Sequence, residues 1–426
     1  MLYISKNILL GSWIIFSIHN DVYCQQNTSL SQVLADAKVS SPLSTNTALM
    51  QQQNILQQKN IASTNHPQLA LHGQATYQSE TTGLNVDFPG LSIPRLSKDQ
   101  YRLQLDATQY LYDGGINRVM RDISNVNFEI NSDQLDMELE QLQEQVIKLY
   151  FVILELTERS ELLELKSKNI LTTMERLQTA VNSGTVLASE LKVLKAELLT
   201  IDQMKDELYF TKLSQITIIN QLTQSMYDMT TTFERPQLLE GFSSSIEGRP
   251  VFQILKHQTQ QSDLALKSHM AGNSPKILLF AQAGYGKPGL NFLTNGFDTY
   301  YLGGIKLQWN LSHMYNNTRT TAINTLQKQQ IASQHKNIEL QISSILTGLE
   351  SEIQRTSAQM AKDDEIILYR QDIKNVAIQQ LELGVITSAD YVFKVNDEMT
   401  AVVNKKLHEI QKLKATYLYA HHSGSL

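Results

Sequence analysis

The chain has 426 residues, a net charge of −6 and only 18% charged residues, with Gln, Asn, Ser and Thr filling the difference. The charge forms no acidic or basic block, which excludes electrostatic nucleic-acid binding. Its one cysteine, Cys24, leaves no scope for an internal disulfide framework.

The first residues read as an export signal. Lys6 supplies a positive start, residues 8–18 form an apolar run, and polar residues resume at His19. That run is too short to span a bilayer as a helix, so 1–24 reads as a signal peptide. Cys24 has two readings. Cleavage after it would make Gln25 the first mature residue; a lipoprotein signal would make Cys24 the lipidated first residue, although Asp21 stands where such signals usually carry Leu. No later stretch has the length and apolarity of a transmembrane helix.

A helical pattern runs from Leu30 to about Asn60 with an interruption at Pro42, and Pro67 opens a strand. In that strand Leu69, Leu71, Gly73, Ala75 and Tyr77 share one face, opposite Gln68, Ala70, His72, Gln74 and Thr76. After a loop over 80–99, alternation returns: Tyr101, Leu103, Leu105, Ala107 and Leu111 oppose Arg102, Gln104, Asp106 and Thr108. Apolar against polar over about ten residues is the pattern of a membrane β-barrel strand. An ordinary half-buried sheet strand has the same period. The turn Asp113-Gly114-Gly115 then opens a helix whose seam steps by four and three through Leu135, Leu139, Leu142, Val146, Leu149 and Ile153, and on to Leu177 and Val181. This is coiled-coil spacing, and the run from Gly115 to Val181 would extend on the order of 100 Å. Asn182-Ser183-Gly184-Thr185 turns the chain, a second helix returns over about 187–230, and residues 231–248 read as a linker.

The second half repeats the order. Asn273-Ser274-Pro275 answers Asn65-His66-Pro67, and Leu279, Gln282, Ala283 and Tyr285 fall in register with Leu71, Gln74, Ala75 and Tyr77. The loop Gly289-Leu290-Asn291 answers Gly83-Leu84-Asn85. Strands are expected at 276–286 and 300–311, a second rod from about His313 to Leu381, a turn at Gly384 and a returning helix from Ser388 to about His422. The organisation is thus a signal peptide over 1–24, one repeat over 25–230, a linker over 231–248 and a second repeat over 249–426. Each repeat is a helix, two strands and a long helical hairpin.

With its duplicated Asn-x-Pro strand openings, the strand ending Gln109-Tyr110-Leu111-Tyr112-Asp113-Gly114-Gly115, the hairpin tips around Gly184 and Gly384 and the closing Gly424-Ser425-Leu426, the chain resembles the TolC-like outer-membrane efflux protein family. The resemblance implies a mixed α and β fold: a homotrimer whose four strands per protomer form one transmembrane β-barrel in outer-membrane lipid, continued by a periplasmic α-helical barrel. Four strands do not close a barrel alone, and lipid does not tolerate open edges. It further implies a channel of a tripartite efflux system. Hairpin tips would dock on a periplasmic adaptor that leads to an inner-membrane pump: Gly184, Thr185, Val186 and Leu187 form one tip and Gly384, Val385, Ile386 and Thr387 the other. Gly184 and Gly384 are also ordinary helix terminators.

Asp390 matches a family position where an acid lines the closed pore constriction. Members with a strong cation-binding ring carry a second acid one turn later, where this chain has Phe393. A single ring of carboxylates still attracts cations, and Phe393 is an apolar gate candidate. The plainer readings are a helix N-terminal acid for Asp390 and helix packing for Phe393.

Other signals carry no chemistry. Gly284-Tyr285-Gly286-Lys287-Pro288-Gly289 has dinucleotide-fingerprint spacing but no helix behind it. The ten histidines show no metal spacing and no nucleophile turn is present. No enzyme activity, cofactor or metal is expected. Two rival functions stand beside efflux: a channel for type I protein secretion, and a periplasmic coiled-coil structural protein.

Overall fold

The computed structural model describes residues 27–81, 96–239, 241 and 246–426. The leader over 1–24, Cys24 and the Gly83-Leu84-Asn85 segment lie outside the described residues.

The chain opens with β1 (Asn27–Thr28), α1 (Leu30–Ser40) and α2 (Pro42–Ser63). Ser41 separates the two helices: its side chain accepts from Leu43 N, and Pro42 takes the first helical position, where its missing N–H costs nothing. Strands β2 (Gln68–Tyr77) and β3 (Asp99–Tyr112) follow, then α3 (Ile116–Asn182) and α4 (Ala188–Thr223). After β4 (Thr232–Phe233) and α5 (Pro250–Gly272), β5 (Lys276–Lys287) and β6 (Asp298–Gln308) lead into α6 (Asn317–Glu382) and α7 (Ser388–His422).

Three boundaries differ from the sequence reading. Helix α4 stops at Thr223 rather than near 230, because Gln224 turns left-handed and the Asn220 amide brackets the Tyr227 backbone, donating to its O and accepting from its N. Strand β6 ends at Gln308, before Trp309 and Leu311, and Trp309 Nε1 instead donates to Asn273 O at 2.8 Å. A short 3-10 turn over Leu311–Asn316 then precedes α6.

Strands β2-β3-β5-β6 form one antiparallel sheet in that order. Register unites their apolar positions on a single face. Leu71 pairs with Leu105, Leu105 with Ala283 and Ala283 with Tyr301; Leu103 pairs with Tyr285 and Leu279 with Ile305. Directly paired residues point to the same side. The face is left open: Leu69, Leu71 and Ile305 are each 69% exposed in the single chain. Apolar surface of this extent is unfavourable in water and favourable against lipid. Both edges, β2 and β6, lack a partner within the described chain.

Below the sheet α3, with 67 residues, and α6, with 66, run for about 100 Å each. The tip half is held by one core in which Ile170 and Leu177 of α3, Leu194 and Ile201 of α4, Leu381 of α6 and Val395 of α7 meet, so the hairpins α3–α4 and α6–α7 pack as a four-helix unit. Midway, α3 is buried well beyond its predicted seam. Ile147, Tyr150 and Phe151 are fully covered by α1, α4, α7 and Phe233. The cover is anchored by β1 and β4, two short segments that pair in parallel where the sequence showed only a polar lead and a linker. The Tyr150 hydroxyl shares its proton between Thr28 O at 2.9 Å and Glu234 O at 2.6 Å.

Candidate functional site

The two tips have one construction. Helix α3 ends at Asn182 and Gly184 adopts φ +75°, which lets Gly184 N donate to Val181 O and Thr185 N to Ala180 O, each at 3.0 Å. Helix α6 ends at Glu382 and Gly384 adopts φ +70°, with Gly384 N on Leu381 O and Val385 N on Gln380 O. A side chain would meet open space at either glycine. Backbone conformation, not crowding, selects Gly there.

Within the tips the side chains divide. Val186 and Ile386 turn into the tip core. Leu187, Val385 and Leu383 project outward at 73%, 68% and 79% exposure, and Thr185 and Thr387 are exposed as well. The hairpins are laced together: Glu190 of α4 accepts from Ser388 N at 2.6 Å, Arg176 pairs with Glu382 at 3.1 Å, and the Thr173 and Tyr391 hydroxyls lie 3.2 Å apart. Sequence reading missed Glu190, which stands out only as an acid in the first turn of α4; its acceptor role depends on the other hairpin.

Asp390 lies just inside the α7 tip. Its Oδ2 accepts from Thr387 N at 3.1 Å and Thr387 Oγ1 at 2.7 Å, while Thr387 Oγ1 accepts from Asp390 N, a reciprocal capping box. The side-chain and backbone hydrogen bonds from Thr387 hold the Asp390 carboxyl below the usual carboxylate range, so it stays charged. A shallow groove beside it takes in Asp372, Gln380, Ile386 and Lys394. Phe393, 60% exposed, is not part of that groove; the Lys394 ammonium sits 5.2 Å from its ring centroid. Asp390 and Phe393 are thus about one helical turn apart on α7, with Asp390 alone of the two on the groove.

The polar face of the sheet carries a row that crosses all four strands, since His72, Gln104, Gly284 and Tyr300 stand in register. Tyr300 lies across Gly284, where any Cβ would collide with its ring. Its hydroxyl donates to Gln104 Oε1 at 2.9 Å, Gln104 Nε2 donates to Asp106 Oδ1 at 2.5 Å, and His72 Nε2 is 3.3 Å from Asp106 Oδ2.

No helix among the described residues is long and apolar enough to cross a membrane. No protein-family model and no curated protein sequence matches the chain. Solved structures do match along almost its whole length. The outer membrane protein VceC from Vibrio cholerae superposes with a TM-score of 0.69 at 14% identity, over 93% of this chain and 96% of its own. The CmeC outer membrane channel of Campylobacter jejuni gives 0.66 at 15%, over 99% and 94%. The MtrE outer membrane channel of Neisseria gonorrhoeae gives 0.66 at 14%, over 93% and 89%. The chain has the TolC-like outer-membrane channel fold: four antiparallel strands and long helical hairpins per protomer.

Proposed function

We propose that the chain is the outer-membrane channel of a tripartite efflux system, acting as a homotrimer with a periplasmic extension. The observation that carries this is the sheet. Its register gathers a largely apolar face, interrupted by Gln109, against a more polar one, and both edges await further strands. Three copies would supply the strands that close a barrel, apolar side to lipid and polar side to water. A second feature points the same way. On α6, Ile366, Tyr369, Ile373 and Val376 follow heptad spacing yet are 46%, 58%, 43% and 53% exposed, a seam left uncovered among the described residues. The related solved structures described as outer membrane channels support the same reading.

In this reading the tips at Gly184, Thr185, Val186 and Leu187 and at Gly384, Val385, Ile386 and Thr387 receive a periplasmic adaptor, which connects to an inner-membrane pump. Leu187 and Val385 offer the apolar contact, because Val186 and Ile386 are occupied in the tip core. Asp390 and Phe393 stand at the pore constriction, where three copies of the carboxylate would surround the axis.

The test is the mass of the detergent-extracted protein from an outer-membrane fraction. A stable trimer is expected, and a soluble periplasmic monomer or dimer would overturn the barrel. Leu187→Glu and Val385→Glu should abolish export of a dye substrate while the trimer persists. Unimpaired export would remove the tips from adaptor docking.

A further inference from the structure

A cavity of about 550 Å³ lies between α2 and α3, immediately below the sheet. Its size falls in the range of small-molecule sites. The two helices are fastened along one line, by Asn54 Nδ2 on Asn125 Oδ1 at 3.2 Å and Gln58 Nε2 on Arg121 O at 2.9 Å. The cavity lies to one side of that line. Strand register fixes which side. Tyr110 and Lys276 both line it; Tyr110 pairs with Leu278, in step with Thr108 and Asp106, and Lys276 pairs with Gln308. All are positions on the polar face of the sheet. The cavity therefore continues that face, which is the lumenal one when the barrel closes.

Its walls mix adaptable apolar side chains, Met120, Ile123 and Phe128 among them, with uncharged amides such as Asn127 and Asn131. Methionine side chains accommodate varied shapes. Of the lining residues only Asp113 and Lys276 are charged. Asp113 is committed, with Oδ1 accepting from Gly115 N and Oδ2 from Asn117 N, both at 2.8 Å. Among the described residues Lys276 has neither an ion-pair nor a hydrogen-bond partner, and it is half-buried at the barrel end of the cavity. Among the described lining residues the uncommitted charge is a cation, above a chamber of apolar and amide walls.

We propose that this cavity is a lumenal transit site for amphiphilic anions, the apolar body lying against Met120, Ile123 and Phe128 and the acidic group on the Lys276 ammonium. The inference rests on the channel reading and narrows its cargo to a chemical class. A site on an exit path has to release what it holds, and a shallow wall chamber with one charge-assisted contact suits weak, reversible binding.

The experiment is calorimetric titration of the purified trimer in lipid nanodiscs with 1-naphthalenesulfonate, and in parallel with uncharged naphthalenemethanol. Wild type should bind the sulfonate at one site per protomer. Lys276→Gln should weaken the sulfonate about tenfold and leave naphthalenemethanol unchanged, with the trimer mass intact. Sulfonate binding no greater than to empty nanodiscs, or equal in Lys276→Gln and wild type, overturns the site while the channel reading stands. A chain that never yields a trimer overturns the channel reading itself.

Discussion

His421 at the end of α7 couples proton binding to the packing of the chain's middle section. The side chain is 5% exposed and stacks edge-on against His422. Glu144 and Lys148 of α3 and Arg249, which precedes α5, stand around the pair; Arg249 is itself tied to Glu140 at 2.9 Å. Burial, and then the neighbouring His422, push the His421 pKa down from 6.5 to about 4, with Glu144 pulling the other way. The folded chain therefore holds this ring neutral where the unfolded chain would protonate it. Its contribution to stability is complete above about pH 6.5 and is lost as the pH falls toward 4. The gap, at about 1.36 kcal/mol per pH unit, amounts to about 3 kcal/mol in all and about 2 kcal/mol by pH 5. Hydrogen exchange of the last turns of α7, corrected for intrinsic rates, should be about 30-fold faster at pH 5 than at pH 7.5. His421→Gln, neutral at every pH, should remove most of that response, leaving the part due to His422, which burial also lowers. A His421 ring that titrates near 6.5, or a variant with an undiminished pH response, would refute the reasoning.

Three further perturbations address the sheet, the α7 cap and the middle section. Gly284→Ala should displace Tyr300 from its place across β5, break the bond to Gln104 and cost about 1–3 kcal/mol as overpacking; a variant with unchanged heat resistance would count against the Tyr300–Gln104 contact. Asp390→Ala removes the capping box, so amides in the first turn of α7 should exchange faster, and on the channel reading the cation preference of the reconstituted pore should fall. Exchange that stays slow would show the cap to be dispensable, and an unchanged ion preference would remove Asp390 from the constriction. Tyr150→Phe leaves the Glu234 carbonyl without the hydroxyl donor, while Thr28 O keeps the Glu234 N–H, and should cost about 1 kcal/mol, read as faster exchange at 27–28 and 232–233.

Much of the architecture could be read from residue order. Alternation with period two assigned Leu69, Leu71, Leu103 and Leu105 to one face, and their pairing places them together. Gly184 and Gly384 announced the tips because a left-handed residue after a helix is usually glycine. The Thr387–Asp390 spacing also held the capping box, in line with the reading of Asp390 as a helix N-terminal acid. Other features left no such trace. Strands β1 and β4 are two residues each, too short for any period, and they pair from distant parts of the chain. Tyr150 and Phe151 lie off the α3 seam and are fully buried. Coverage of that kind depends on which elements arrive from elsewhere.

The sequence by itself determined the long helices, the four long strands and their faces, because helix and strand periodicity and turn glycines act over a few residues and are written where they act. Tertiary structure decided what depends on distance in space: that Glu190 caps the opposite hairpin, that Asp113 is spent on the start of α3 while Lys276 has no polar partner among the described residues, and that His421 is held neutral. Each of those outcomes is set by partners brought from remote segments, and the charge state or commitment of a side chain follows from its surroundings rather than from its neighbours in the chain.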